Sequence, residues 1–466
     1  MLNETFDLRS VNENPCNMCM PLGGILALKG IEKSMVIVHG SQGCATYMRR
    51  HIAEHFNEPI DVGSSSLNEK GTVYGGEENL KTGLDNIIKV YRPKLVGVLT
   101  TCLAETIGED IDRVTLDFLR ERGLIDFPVV TVATPGYGGT QFEGYWLTTR
   151  KVIENLAQKT EKHSKINVIV PNISPVDIRE IKRILQLMKV DYTLVPDFSD
   201  TLDQAFLESY KRIPDGGTKL EDIVRMPGAL ATIQMGITVE DAISPGHYLE
   251  REFDVPLYKI PLPMGIESTD IFINTVKEIS GNPVPDVLKK ERGRLLDCMI
   301  DSHKYNAEGK SVIFGEPELV FAVARTCMEN GIYTAVVATG STKTTLLEGL
   351  LKNDCSGLEE PYFLRETDFS RIRILSRQKK VNIAIGHSDG RYITEKEGIP
   401  LVRIGFPIHD RIGGQRLLSV GYVGTIMFLD RVTNTLLENK QRTYRSSMYE
   451  KFYCSSQKQE QYPLEG

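Results

Sequence analysis

Cysteines are the residues of this 466-residue chain whose type and spacing best suit metal chemistry. Of its eight cysteines, Cys16, Cys19, Cys44 and Cys102 fall near the N-terminus, and the others are scattered singly. Cys16 and Cys19 form a Cys-x-x-Cys pair, whereas Cys44 and Cys102 each follow a short apolar run that predicts a β-strand. In a cytosolic protein, where thiols stay reduced, such cysteines serve as metal ligands, redox groups or buried packing.

The placement of Cys19, Cys44 and Cys102 favours a cluster of metal ions. Each follows a strand or loop and precedes a predicted helix, whose N-terminal end stabilises thiolates and anionic clusters. Glycines that would let backbone amides approach the sulfurs lie nearby: Gly23, Gly24, Gly40 and Gly43. An iron–sulfur cluster typically binds four thiolates, so three ligands here imply that the others come from a partner chain.

Other interpretations of these cysteines stay open at this point. The Cys16–Cys19 pair also suits structural zinc, but zinc usually takes two close pairs and the chain has one. A pair that precedes a strand is a poor match for a thioredoxin-like redox motif. Taken singly, each cysteine could simply be a small buried hydrophobic residue.

Apolar β-branched runs alternate with amphipathic segments along most of the chain. Strands are predicted at 35–38, 94–100, 128–133, 166–170, 192–195, 229–234, 311–315, 334–338, 381–385 and 400–404. Helices are predicted at 78–91, 176–188, 317–330 and 418–440. This alternation predicts an α/β fold with parallel sheets that carry helices on both faces. Ligands are then expected at the carboxyl ends of the strands.

The chain is too long for one hydrophobic core, and polar stretches suggest where it divides. We predict an N-terminal α/β domain with the cluster cysteines at 1–163, a middle α/β domain at 164–307, a C-terminal α/β domain at 308–441, and a polar and aromatic tail at 442–466. The net charge of −7 argues against nucleic-acid binding. Neither a signal peptide nor a membrane-length apolar run is present, so a cytoplasmic protein is expected.

Several motifs are more specific than spacing alone. They are PCNMCMPLG at 15–23, HGSQGC at 39–44, SSSLNE at 64–69, TTCLAETIGED at 100–110, TPGYGGT at 134–140 and GFPIHDR at 405–411. With these motifs the chain resembles the β-type subunits of nitrogenase component 1 over most of its length.

The resemblance implies three Rossmann-like, doubly wound parallel-sheet domains and a cluster at an αβ interface. The family's three β-side ligands map onto Cys19, Cys44 and Cys102, and Cys16 has no role in that pattern. The implied partners are a homologous α-type subunit in an α2β2 assembly and an ATP-dependent iron-protein reductase.

Two branches of the family remain open. Catalytic β subunits of molybdenum nitrogenase carry a serine near their [8Fe-7S] cluster where this chain has Gly136, and they are usually longer. Gly136 and the run at 406–411 resemble the scaffold of iron–molybdenum cofactor biosynthesis, in which a NifN-type chain pairs with a NifE-like subunit around a [4Fe-4S] cluster. Retention of three cysteines also suits a nitrogenase or nitrogenase-like reductase with a NifD-like partner. We expect the scaffold and keep the catalytic β subunit as the alternative.

Overall fold

The computed structural model describes residues 16–341, 343–354 and 360–454. The strands are β1 (Ser34–His39), β2 (Gly63–Ser64), β3 (Leu95–Thr100), β4 (Val129–Val132), β5 (Ile166–Ile169), β6 (Tyr192–Val195), β7 (Thr232–Met235), β8 (Leu257–Ile260), β9 (Lys310–Phe314), β10 (Tyr333–Ala338), β11 (Tyr362–Leu364), β12 (Ile383–Gly386) and β13 (Leu401–Arg403).

The helices surround these strands. They are α1 (Met20–Lys29), α2 (Gln42–Phe56), α3 (Glu69–Tyr74), α4 (Glu77–Tyr91), α5 (Cys102–Thr106), α6 (Ile111–Arg122), α7 (Gln141–Leu156), α8 (Pro175–Leu187), α9 (Leu220–Val224), α10 (Pro245–Phe253), α11 (Ile266–Ser280), α12 (Asp286–Asn306), α13 (Pro317–Glu329), α14 (Thr345–Asp354), α15 (Phe369–Gln378), α16 (Arg391–Glu397) and α17 (Gly421–Tyr449). None of these described helices is long and apolar enough to cross a membrane.

The strands form three sheets, which confirms the predicted fold class. Their orders are β2-β1-β3-β4, β6-β5-β7-β8 and β11-β10-β9-β12-β13. All the described pairings between these strands are parallel. The strands of one sheet therefore end at the same edge, where the loops that follow them can meet.

The sheets span 34–132, 166–260 and 310–403. The domain boundaries after 163, 307 and 441 stay predictions. Helix α17 continues through 441 and ends at Tyr449, and the predicted tail lies partly outside the described residues, as do residues 1–15.

One large hydrophobic cluster contains residues of all three sheets and holds them together. Helix α1 is buried at every position and packs against α7, which carries the buried Trp146. A helix that is buried all round needs apolar or small residues on every face, which α1 has in MPLGGILAL. Because α1 starts directly after Cys19, its packing against α7 determines where that cysteine lies.

A buried carboxylate joins the second and third sheets. Glu318 of α13 accepts hydrogen bonds of 2.6 Å from both the backbone N–H and the Oγ1 hydroxyl of Thr238. Burial raises the pKa of Glu318 from its ordinary 4.5 to about 7. The folded state thus binds this proton more tightly than the unfolded state does. Protonated Glu318 therefore contributes about 3 kcal/mol to the free energy of unfolding below pH 4.5. This contribution is lost as the pH rises through 7.

Substitution Glu318→Gln should reduce the loss of stability at higher pH. Glutamine keeps an oxygen that accepts from Thr238, but it has no proton to release. We expect the thermal midpoint of the wild type to fall more than that of the variant between pH 5 and pH 8. Parallel pH profiles of the two midpoints would show that Glu318 does not titrate in this range.

Candidate metal centre

Two of the predicted ligands leave neighbouring strands at the same sheet edge. Strands β1 and β3 pair in parallel, with His39 opposite Thr100 at their carboxyl ends. The N–H of Thr101 donates to the carbonyl of His39 over 3.1 Å, which ties the two outgoing loops together. Cys44 and Cys102 follow on these loops, so parallel pairing brings together two residues that are distant in sequence.

All three cysteines lie at helix starts, as the sequence predicts. Cys19 is the N-cap residue of α1, Cys44 lies in the first turn of α2, and Cys102 is the first residue of α5. Unpaired backbone N–H groups point out of such helix ends and favour negative charge nearby.

Gly136 lies next to the sulfurs of both Cys102 and Cys19. A Cβ atom on Gly136 would lie 3.3 Å from the Sγ of Cys102 and 3.4 Å from the Sγ of Cys19. The N–H of Gly136 donates to the Cys102 sulfur over 3.1 Å. This loop is held to β3 by Thr134, whose N–H donates to the Thr100 hydroxyl over 2.8 Å. The backbone amide that contacts the Cys102 sulfur thus comes from the loop after β4, whereas the sequence suggested Gly23, Gly24, Gly40 and Gly43.

The sulfur of Cys44 is close enough to those of Cys19 and Cys102 for their charges to interact. Desolvation raises the pKa of Cys19, and the thiols of Cys102 and Cys44 raise it further. Desolvation also raises the pKa of Cys44, with Cys102 as the next cause. Cys19 and Cys102 are exposed and Cys44 is half-buried, so all three are accessible. A bound cation would displace the thiol protons and remove this mutual repulsion between thiolates.

The spacing of the donors suits several metal ions better than one. Within the described ranges, no three His, Cys, Asp or Glu side chains are close enough to hold a single metal ion. In a four-iron cluster each thiolate binds a different iron, which allows the cysteine sulfurs to lie farther apart than in a zinc site. The three accessible thiols, together with the Gly136 amide, therefore fit a cluster that is completed from outside the chain.

Cys16 points away from this group. Its side chain is 2% exposed and lies in the core beside the third sheet, with its Sγ 3.9 Å from Nε2 of His387. The N–H of Cys16 donates to the carbonyl of Thr367 over 2.8 Å, which anchors this end of the chain to the third domain. Burial raises the pKa of the Cys16 thiol far above its ordinary range. The Cys-x-x-Cys pair is therefore not a chelating pair.

A cavity of about 880 Å³ opens beside the cysteines, between α2 and the loops that follow β12 and β13. Its lining includes Cys19, Cys44 and His51 from the N-terminal part of the chain and Asp389 and His409 from the loops of the third sheet. Sequence patterns gave no sign of this juxtaposition, because the first and third domains contribute one wall each.

Comparison with known proteins identifies the family of the chain. A family model described as "Nitrogenase component 1 type Oxidoreductase" matches residues 19–437. The chain belongs to the nitrogenase component 1 family. The match begins at Cys19 and covers most of the chain.

The component 1 relatives include β chains of the molybdenum–iron protein. The one from Methanococcus maripaludis is 36% identical, covering 92% of this chain and 95% of the relative. The one from Clostridium pasteurianum is 33% identical, covering 94% and 96%. The one from Frankia alni is 35% identical and is covered to 85%. A solved structure titled "Nitrogenase Cp1 at pH 6.5" superposes with a TM-score of 0.89 at 33% identity, covering 94% of this chain and 96% of that one.

The lengths of these relatives bear on the distinction between the scaffold and the catalytic β subunit. Some β chains of the molybdenum–iron protein are covered almost completely by this chain, whereas the one from Frankia alni is longer. Length therefore does not distinguish a scaffold subunit from a catalytic one. The composition of the site has to decide between them.

Proposed function

We propose that this chain is the β-type subunit of a nitrogenase-like component 1 complex, in which it holds an interfacial iron–sulfur cluster and relays electrons to its α-type partner. The observation that carries this proposal is the convergence of Cys19, Cys44 and Cys102 on one accessible surface. Of the other cysteines with described side chains, Cys16 and Cys327 are buried in core clusters and Cys298 faces Asp430 of α17. On this proposal the remaining ligands of the cluster come from the partner.

Exposed aromatic residues beside the cysteines support a partner at this surface. Tyr47 lines the cavity together with Cys44 and is 63% exposed. Tyr137, which follows Gly136, is 68% exposed. Aromatic side chains are enriched in protein interfaces, where both rings could be covered by an α-type subunit in an α2β2 assembly.

The residues of this chain would hold the cluster and adjust its electronic properties. When bound, an iron–sulfur cluster accepts and releases single electrons. Cys19, Cys44 and Cys102 would bind iron as thiolates, and the N–H of Gly136, which donates to the Cys102 sulfur, would stabilise negative charge there. The helix starts at Cys19 and Cys102 favour the same charge.

Three thiols and the names of the relatives support an [8Fe-7S] cluster in an electron-relaying subunit. One observation favours the second candidate, a scaffold for cofactor biosynthesis of the NifN type with a [4Fe-4S] cluster. Gly136 lies between two sulfurs and has no side chain, so this chain offers no oxygen ligand where the catalytic molybdenum subunits have serine.

Electron transfer from the ATP-dependent reductase tests the relay function. The purified complex with its α-type partner is mixed anaerobically with reduced reductase and ATP, and the visible spectrum of the cluster and ethylene from acetylene are followed. We expect cluster bleaching and acetylene reduction, and neither without ATP. A complex that contains its cluster yet accepts no electrons would overturn the relay and leave the scaffold as the better account.

A further inference from the structure

One carboxylate touches all three domains next to the cysteine group. Glu316 follows β9 of the third sheet and is the N-cap residue of α13. Its Oε1 accepts from the side-chain amide of Asn172, which follows β5 of the second sheet, over 3.2 Å. The side chain of Gln141, at the start of α7, is also close to this carboxylate and lowers its pKa as a hydrogen-bonding neighbour. Desolvation raises the pKa of Glu316 to about 7, with the Glu143 carboxylate as a further cause.

The side chain of Gln141 also contacts the backbone of Met18, the residue before Cys19. Its Oε1 accepts from the N–H of Met18 over 2.6 Å, which leaves its amide N–H₂ to face Glu316. The N–H of Gln141 donates back to the carbonyl of Met18 over 3.0 Å, and Cys19 forms an antiparallel bridge with Thr140. The two sides of the Gln141 amide thus connect the Cys19 backbone to the third domain.

A neighbouring contact strengthens this junction. Glu143 accepts from the N–H of Thr140 over 2.7 Å with one oxygen, and from the hydroxyl of Ser341 over 2.5 Å with the other. Ser341 follows β10 of the third sheet. The start of α7 pairs with the segment that contains Cys19. Two carboxylates, Glu316 and Glu143, connect it to the third domain.

We propose that Glu316 is a positioning residue for Cys19: it fixes the Gln141 amide, which holds the Met18 N–H and so directs the Cys19 thiol toward Cys44 and Cys102. This inference rests on the proposed function, because it takes Cys19 to be a cluster ligand. Its structural part concerns the Met18 amide and can be measured on the chain without a cluster.

The experiment measures hydrogen–deuterium exchange at the Met18 amide in the full-length apoprotein, at single-residue resolution. Glu316→Leu should raise the exchange rate about tenfold, the factor that corresponds to one hydrogen bond of typical net strength. Glu316→Gln retains an acceptor oxygen and should stay within about twofold of the wild type. Glu318→Leu is the matched control, since it removes a buried carboxylate two positions later, in α13, that accepts hydrogen bonds from Thr238 instead.

The proposal is overturned if Glu316→Leu leaves Met18 exchange unchanged, or if Glu318→Leu raises it equally. Should Glu316→Leu fail to fold, Gln141→Leu tests the same connection, and unchanged exchange at Met18 there also overturns it. Iron content of the assembled complex is measured in parallel. A wild-type complex without iron contradicts the proposed function, whereas the exchange data on the apoprotein still decide the role of Glu316.

Discussion

Replacing Cys44 with alanine is expected to remove the interfacial iron from the complex of this chain with its α-type partner, together with the broad visible absorption of the cluster. Loss of a residue that only supports a ligand already lowers metal affinity about 10- to 100-fold, so loss of a thiolate should have at least that effect. Cys19→Ala and Cys102→Ala should behave in the same way. Iron analysis and absorption spectra of anaerobically purified complexes provide the measurement.

Cys16→Ala is the matched control for this prediction. Cys16 lies three positions before Cys19, but its sulfur is buried beside His387. The variant should keep the iron and the spectrum of the wild type, with a modest loss of stability from the small cavity. Iron loss in Cys16→Ala to the extent seen in Cys44→Ala would mean that the two cysteines are wrongly assigned.

Substitution Gly23→Ala is expected to destabilise the protein by about 3 kcal/mol or more, because it forces apart two helices that touch through their backbones. A Cβ atom on Gly23 of α1 would lie 1.8 Å from the carbonyl oxygen of Gln141. Gly144 of α7 faces α1 in the same way, since a Cβ atom there would lie 2.0 Å from the carbonyl oxygen of Met20. Separation of these helices would also displace Cys19, so thermal unfolding and iron content should both report the change.

Gly293→Ala provides the comparison for this effect. Gly293 lies inside α12, is exposed, and has no atom within 4 Å of its Cβ position. Alanine there should stabilise the chain by about 1 kcal/mol, since glycine is a poor helix former. Equal thermal midpoints for Gly23→Ala and the wild type would contradict the close helix contact.

The fold could be predicted from sequence wherever strands are buried on both faces. Strands β1 and β3 are buried at every position, and their continuous apolar runs predicted both. The strands missed by prediction, β2, β8 and β11, all lie at sheet edges. They are two to four residues long and mostly half-buried or exposed, so their apolar pattern is weak.

The site was predictable in part, because cysteines before helix starts leave a local pattern. Parallel pairing then explains why Cys44 and Cys102 meet. Only the resemblance to the family predicted that Cys19 is a ligand and Cys16 is not. Their spacing alone predicts a chelating pair. The connection from Glu316 through Gln141 leaves no pattern in sequence, because it joins elements of different domains by side-chain contacts.

The most direct test of the account counts the irons that depend on this chain. Iron per αβ pair is measured in the wild-type complex and in the Cys102→Ala complex, and the difference counts the irons at the interface. An electron-relaying subunit predicts a difference of about eight, whereas about four would support the scaffold. An equal iron content in the two complexes would contradict the assignment of Cys102, and with it the interfacial cluster.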